Sequence, residues 1–204
     1  MSASSITLNA LRDKVEALLI DNSNAIWGSG LLDEAIGLAL AEYSTARPWK
    51  LMATLALTSI LSANGREIDL SSLSDLVRVE RLWAPYAAAD NEPSERQFEH
   101  WLDAETLYIP DGAALTTSDS ARVFYCKQHT LNGLDSAVAT TFVAGDEAIV
   151  ALGAVGYALL SRANDVTEQV TLSADTVDLY RDLSDDFLRE FRQRLGVAVA
   201  KPGR

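Results

Sequence analysis

The chain has 204 residues, 48% of them hydrophobic, and its formal net charge is -12. This length favours one domain, with room for a subdomain, and the negative charge argues against a protein that binds nucleic-acid phosphates tightly. The charge does not exclude a surface past which DNA slides, because an acidic wall repels a polyanion. The single cysteine, Cys126, excludes an intrachain disulfide and indicates a reducing compartment. No charged segment followed by an apolar one resembles a secretory signal, so none is expected.

Two helices are predicted before residue 48, and residues 1–6 are expected to fray. Thr7 can cap the first helix, and the turn-forming run 21–24 should end it. Ser29 or Gly30 begins the second, which should end before proline, because the residue preceding proline is pushed out of the α region. Their apolar positions recur at helical spacing. These are Leu8, Leu11, Val15, Leu18 and Leu19, then Leu32, Ala35, Ile36, Ala39, Leu40 and Tyr43.

The pattern changes after Pro48. Extended segments are predicted at 49–58, 76–83, 107–109 and 122–127, and the second of them alternates cleanly at period two. The dipeptide Asn64-Gly65 is a strong turn signal. Strands that lie between two helical blocks imply an α+β fold, with an antiparallel β-rich insertion in a helical bundle, rather than a parallel sheet.

A buried helix is predicted over 144–163. Its start at 145–147 is acidic, which suits the positive end of a helix, and no charged residue follows until Arg162. A helix that is apolar almost all round is buried on most sides. An interior glycine costs about 1 kcal/mol against alanine, so Gly153 and Gly156 indicate that other helices approach the backbone closely there.

The last predicted helix is amphipathic. Ser173 is expected to cap it, and two i,i+4 ion pairs are predicted on its wet face, Asp185 with Arg189 and Glu190 with Arg194. Its apolar face is predicted from helical spacing. The residues of that face are Tyr180, Leu183, Phe187, Leu188, Phe191 and Leu195.

The sequence therefore predicts three regions. A helical bundle core combines 1–47 and 140–196, an inserted β-rich subdomain spans 48–139, and a flexible tail covers 197–204. Gly196 is placed as the C-cap that ends the last helix before the tail.

Few residues suggest chemistry. Nucleotide-binding loops, HExxH and G-x-S-x-G are absent from the sequence, the histidines His100 and His129 are too few for a usual zinc site, and no cofactor is expected. Cys126 and His129 are three residues apart. They could form a nucleophilic pair, and the plainer interpretation is a small buried side chain beside a loop histidine.

The tryptophans are interpreted as core or interface anchors, because no basic residues interleave with them. They are Trp27, Trp49, Trp83 and Trp101.

Six segments in a fixed order carry a resemblance. They are LLDEAIGLALAEYSTARP at 31–48, VRVERLWAP at 77–85, LYIPDG at 107–112, ARVFYCKQHTL at 121–131, EAIVALGAVGYALLSRA at 147–163 and DLYRDLSDDFLREFRQRL at 178–195. Together they make nearly the whole chain resemble the head-to-tail adaptor, or connector, proteins of tailed bacteriophages. The resemblance lies in the ordered set of segments and not in any one of them. The long polar loop at 86–97 departs from the family pattern.

The resemblance implies a structural virion protein and transfers no catalytic site, so the protein is not expected to be an enzyme. Copies would form a ring of about 12 under the portal, extend the DNA channel and join capsid to tail. The implied partners are the portal protein, a tail or head-closure (stopper) protein, and other copies of the chain. Viral DNA would pass without sequence-specific binding, and no membrane is involved. The protein would be made in the host cytoplasm and reside in the virion neck.

The tail is the candidate portal-binding segment. It alternates small and β-branched residues, which suits a strand added to a sheet edge of the portal, and its cations would meet an acidic partner. Simple terminal disorder is the competing interpretation. The candidate residues are Val197, Ala198, Val199, Ala200, Lys201 and Arg204.

Two other functions stay open from the sequence. One is another virion component, such as a head-closure or tail-completion protein. The other is a small cytoplasmic enzyme that uses Cys126 and His129. Whether those two side chains share a pocket would discriminate the enzyme from a structural protein.

Overall fold

The structure, a computed structural model, describes residues 3–21, 26–89, 93–168 and 174–196. Within these ranges the helices are α1 (Leu8–Leu19), α2 (Ser29–Ala46), α3 (Glu147–Glu168) and α4 (Ala174–Leu195). The strands are β1 (Trp49–Ala56), β2 (Glu67–Asp69), β3 (Leu76–Trp83), β4 (Glu95–Arg96), β5 (Glu99–Trp101), β6 (Thr106–Tyr108) and β7 (Ser120–Lys127), with a 3₁₀ turn at Leu102–Ala104. The strands form two antiparallel sheets, so the predicted α+β class is confirmed.

The chain divides into two compact units. The helical unit comprises Met1–Pro48 and His129–Arg204, and the β unit comprises Trp49–Gln128. The expected insertion of 48–139 therefore extends too far at its C-terminal end. The segment after Gln128 belongs with the helices because the His129 amide donates to Ser44 Oγ of α2 at 2.9 Å and Leu131 is buried in the helical core.

Helix α3 packs against each of the other three helices. A methyl group at Gly153 would lie 3.0 Å from the Ala39 Cβ of α2 and 3.0 Å from the Phe191 ring of α4. One at Gly156 would lie 2.7 Å from Leu188 Cγ and 3.2 Å from the backbone nitrogen of that leucine. The prediction that these glycines mark close helix approaches is confirmed.

The ends of α1 and α2 follow from local chemistry. Thr7 caps α1 by accepting a hydrogen bond from the Ala10 amide at 3.4 Å. The helix ends at Leu19, and the left-handed backbone of its C-cap Ile20 (φ 58°) lets the Asp21 amide reach the Glu16 carbonyl at 3.0 Å. Helix α2 begins at Ser29 and ends two residues before Pro48, as predicted. Residues 22–25 lie outside the described ranges.

The expectation that residues 1–6 fray is wrong for residues 3–6. The Ser4 amide donates to the Phe142 carbonyl at 2.8 Å, and the Ser4 hydroxyl donates to Glu147 Oε1 of α3 at 2.5 Å. Ile6 is buried in the helical core. The apolar contact and the two hydrogen bonds together hold this segment on the helices.

Helix α4 differs from its prediction in two details. Leu183 is 38% exposed, whereas its neighbour Ser184 is buried and donates to the Gly156 carbonyl at 2.8 Å. Helix α4 therefore presents Ser184 to α3, because a small side chain fits where the two helices approach closely. Arg189 pairs with Asp186 at 2.7 Å rather than with Asp185.

The other predictions for α4 have separate outcomes. The predicted pair of Arg194 with Glu190 is confirmed at 2.5 Å. Gly196 has φ 78° and its amide donates to the Gln193 carbonyl, which fits the predicted C-cap. The predicted cap Ser173 lies outside the described residues.

The β unit contains a larger and a smaller sheet. The larger has the order β1-β7-β3-β4 and the smaller β2-β6-β5. One apolar cluster contains residues of both sheets, including Leu82 and Val123 of the larger and Ile68 and Leu107 of the smaller. The larger sheet therefore buries one face in this cluster. The sequence predicts neither β4, which lies in the polar loop 86–97, nor β5, because strands of two or three residues are too short to show a period.

Candidate functional site

The outward face of the four-stranded sheet is the most distinctive exposed surface among the described residues. Side chains alternate across a strand, so burial of Val123 and Tyr125 of β7 leaves the intervening positions on the opposite face. Pairing with β1 and β3 then sets three cross-strand rows. The rows are Lys50–Cys126–Arg78, Met52–Phe124–Arg81 and Thr54–Arg122–Trp83.

Two register shifts between β3 and β7 change which side chains of β3 lie on this face. They fall between Leu76 and Arg78 and between Val79 and Arg81. An extra residue at a bulge interrupts the alternation. The second shift lets Arg81 lie opposite Phe124 while Glu80 still reaches the Lys50 ammonium of β1 at 3.0 Å.

An arginine and two aromatic rings form the middle of the face. The Trp83 and Phe124 rings meet edge to face, with centroids 4.6 Å apart. The Arg81 guanidinium lies 5.3 Å from the Trp83 centroid and 5.5 Å from the Phe124 centroid, within the range of cation–π attraction. The same guanidinium pairs with Glu95 at 2.9 Å, which holds the pKa of that carboxyl below its ordinary range. Beside them, Met52 is 63% exposed.

Arg122 is held without a carboxylate. Its guanidinium carbon lies 4.0 Å from the Tyr86 ring centroid, and its Nε donates to Thr54 Oγ1 at 3.2 Å. No ion pair joins it to any acidic residue in the described ranges. An aromatic ring and a hydroxyl therefore hold the guanidinium in place, and neither of them neutralises its positive charge.

Charges cover Cys126 at the other end of the face. Glu80 binds the Lys50 ammonium at 3.0 Å and the Arg78 guanidinium at 3.1 Å. The hydrogen bond from Lys50 is the main reason that the pKa of Glu80 lies below its ordinary range. Burial, aided by Glu80, raises the pKa of the Cys126 thiol. The thiol is therefore protonated at neutral pH and is a poor nucleophile.

We name this surface the basic face. It carries four cations against the carboxylates Glu80 and Glu95, in a chain whose net charge is -12. The interpretation that no basic residue accompanies the tryptophans is wrong for Trp83, because Arg81 lies against its ring. The period-two spacing of the pair could have revealed it. The basic face consists of Lys50, Met52, Arg78, Arg81, Trp83, Arg122 and Phe124.

The helical unit presents a surface of opposite character. Positions i, i+3, i+4, i+7 and i+11 from Asp175 share one face of α4, and all five are exposed. Leu179 is 55% exposed in the middle of four aspartates. Within the described residues only Asp186 of these aspartates has an ion-pair partner, Arg189. We name this surface the acidic strip: Asp175, Asp178, Leu179, Asp182 and Asp186.

His129 has a structural role in the helical unit, whereas Cys126 belongs to the β unit. A carbonyl oxygen can only accept, so His129 Nε2–H donates to the Arg47 carbonyl at 2.9 Å. Nδ1 then accepts from the Thr141 hydroxyl at 3.1 Å. Burial lowers the pKa of His129, which keeps the ring neutral at pH 7. Both ring nitrogens are therefore already hydrogen-bonded inside the helical unit.

The remaining candidate site residues are those of the C-terminal tail. The tail candidates Val197, Ala198, Val199, Ala200, Lys201 and Arg204 are outside the described residues. Across the described ranges, no three His, Cys, Asp or Glu side chains are grouped so that they could hold a metal ion. Of the helices that the structure describes, none combines the length and hydrophobicity that a membrane crossing needs.

Two comparisons with known sequences found no match. No protein-family model matches the chain, and no curated protein sequence matches it.

Proposed function

We propose that this protein is a head-to-tail adaptor of a tailed bacteriophage. Copies form a ring of about 12 under the portal, extend the DNA channel and join capsid to tail. The partners are the portal protein, a tail or head-closure protein and other copies of the chain. DNA passes through the channel without sequence-specific binding, and the protein acts in the virion neck. No catalytic step is part of this function.

The observation that carries the proposal is the order of elements. Two helices precede the β unit and two follow it, with α3 against all three other helices. This is the order that the resemblance implies for a helical bundle with a β-rich elaboration. The close approaches at Gly153 and Gly156 supply the rigidity that a ring subunit needs, because packed interiors transmit strain rather than deform.

The exposed charge distribution is consistent with the proposal. A subunit in a ring contacts its two neighbours through different surfaces, because head-to-tail contacts are heterologous. The basic face and the acidic strip are two such different surfaces on one chain. The net charge of -12 opposes self-association of free subunits and suits assembly on a template.

The experiment is sedimentation velocity of the purified protein, alone and mixed with the portal protein encoded by the same genome. We expect a monomer or weakly associated species alone, and a complex of about 12 copies per portal ring in the mixture. A stable two-fold dimer in both samples would contradict the proposal.

The alternatives have less support. The enzyme that uses Cys126 and His129 would need a thiolate and a free ring nitrogen, whereas burial raises the pKa of the thiol and both nitrogens of the histidine are hydrogen-bonded. A head-closure or tail-completion protein would share the virion neck but not the portal contact. The portal mixture separates that alternative from an adaptor.

A further inference from the structure

The basic face is an unpartnered sheet face with an unusual composition for this chain. It exposes an arginine packed on two aromatic rings, the 63% exposed Met52, and Arg122, whose charge has no carboxylate partner in the described part of the chain. Aromatic residues, methionine and arginine are enriched at protein interfaces relative to the rest of a surface. The face therefore has the chemistry of a docking surface for an acidic, partly apolar partner.

We infer that the occupant of the basic face is the acidic strip of a second copy of this chain. The inference rests on the proposed function, because the contact between neighbouring copies in a ring joins two different surfaces of one chain. Each basic face then meets the α4 helix of the next copy, and the contact repeats around the ring.

Charge complementarity selects this occupant. The strip carries Asp175, Asp178 and Asp182 without ion-pair partners among the described residues, and the basic face carries the uncompensated Arg122. The apolar parts match as well, since Leu179 at the middle of the strip is 55% exposed and Met52 on the sheet is 63% exposed. Complementary potentials fix register and suppress wrong partners.

The chain offers clean positions for a cross-linking test. The native Cys126 has no exposed surface, so a maleimide should not reach it. Met52→Cys places a thiol on the basic face and Leu179→Cys places one on the acidic strip. Val138→Cys is the matched control. Val138 is 90% exposed, so a thiol there should collide at random with other copies at least as often as a thiol at position 179.

The experiment mixes Met52→Cys copies with Leu179→Cys copies and adds a short bismaleimide. Contact between the two surfaces raises the effective concentration of the thiols, so the cross-linked fraction should exceed that of the Met52→Cys and Val138→Cys mixture by about tenfold or more. Equal cross-linking of the two mixtures, both free at high concentration and bound to the portal, would overturn the inference.

A charge-reversal series tests the chemistry of the contact. Arg122→Glu in the Met52→Cys copy should lower cross-linking about tenfold, and Asp182→Arg in the Leu179→Cys copy should restore most of it. Lys50→Glu gives a second reversal at a side chain that is 66% exposed, in case Arg122→Glu does not fold. Loss without rescue in either series would overturn the assigned pairing.

Two further readouts separate this inference from its competitors. Fluorescence anisotropy with a single-stranded oligonucleotide should show no binding that Arg122→Glu removes, and such binding would assign the face to nucleic acid and overturn the inference. A portal-bound ring without the cross-link would refute the interface but leave the adaptor function standing. The cross-link in isolated protein without any portal complex would support the interface and refute the adaptor function.

Discussion

Leu188 of α4 packs directly on Gly156 of α3, with its backbone nitrogen 3.2 Å from the place that a methyl group at Gly156 would occupy. At the same level, Ser184 donates to the Gly156 carbonyl at 2.8 Å. The two helices therefore approach too closely at this level to leave room for a side chain at position 156, and the contact depends on glycine.

Gly156→Ala should destabilise the protein. Overpacking a tight helix contact costs about 1–3 kcal/mol, because the added methyl group must move backbone as well as side chain. Urea unfolding at constant m-value measures the change in the free energy of unfolding.

Gly37→Ala is the matched control, since a methyl group at Gly37 in α2 has nothing within 4 Å. It should stabilise the protein by up to about 1 kcal/mol through helix propensity. Equal effects of the two substitutions would contradict the close packing of α3 on α4.

Glu42→Gln should weaken the junction of α2, α3 and α4. Glu42 accepts from the Tyr157 hydroxyl at 2.5 Å and from Arg192 Nε at 2.7 Å. Removal of its charge should cost about 1–3 kcal/mol at neutral pH. Glu190→Gln, at the exposed pair with Arg194, should cost less than about 0.5 kcal/mol.

The effect of Glu42→Gln should depend on pH. Burial alone raises the pKa of Glu42, but the hydrogen bonds from Arg192 and Tyr157 outweigh it and leave the pKa below its ordinary range. The stabilisation is therefore complete above the unfolded pKa of about 4.3 and is lost as the pH falls through the folded value. Urea unfolding of both proteins at several pH values checks this, and a wild-type advantage that grows on acidification would contradict it.

Much of the fold follows from the sequence because its signals are local. Capping by Thr7 and the backbone restriction before Pro48 set two helix ends, and the interior glycines Gly153 and Gly156 indicate a tight helix contact. The N-terminal segment was missed because its order comes from tertiary contacts of Ser4 and Ile6, which no local pattern reveals.

The basic face was harder to predict for a different reason. Arg81, Trp83 and Phe124 lie on strands that are far apart in sequence, and only the β3–β7 register brings them together. The register shift between Val79 and Arg81 then changes which residues share a face. Sequence periodicity does not encode bulges of this kind, so the sequence showed the strands without the surface.

Cys126→Ser should leave assembly intact. The thiol is buried, its pKa is raised by burial, and it serves as a small apolar group under Lys50, Arg78 and Glu80. We expect a loss of about 1–2 kcal/mol in the free energy of unfolding, because a hydroxyl is harder to bury than a thiol. In the wild type, the folded thiol should react with an aromatic disulfide reagent far more slowly than after denaturation. Fast reaction of the folded thiol, or loss of an activity without unfolding in Cys126→Ser, would favour the enzyme.

Deletion of residues 197–204 should impair docking without affecting the domain. The deletion begins after Gly196, which closes α4, so the melting temperature should stay the same within error. If the tail adds a strand to the portal, binding of the truncated protein to the portal should fall about tenfold or more, since avidity around a ring amplifies each lost contact. Unchanged docking would show that the tail has no part in portal binding.

The most direct test of the adaptor function is a cryo-electron-microscopy reconstruction of the protein assembled with the portal encoded by the same genome. We expect a closed ring of about 12 copies, coaxial with the portal and continuing its channel. In that ring the basic face of each copy should lie against α4 of its neighbour. A portal without a bound ring, or a two-fold dimer bound away from the channel axis, would contradict the account.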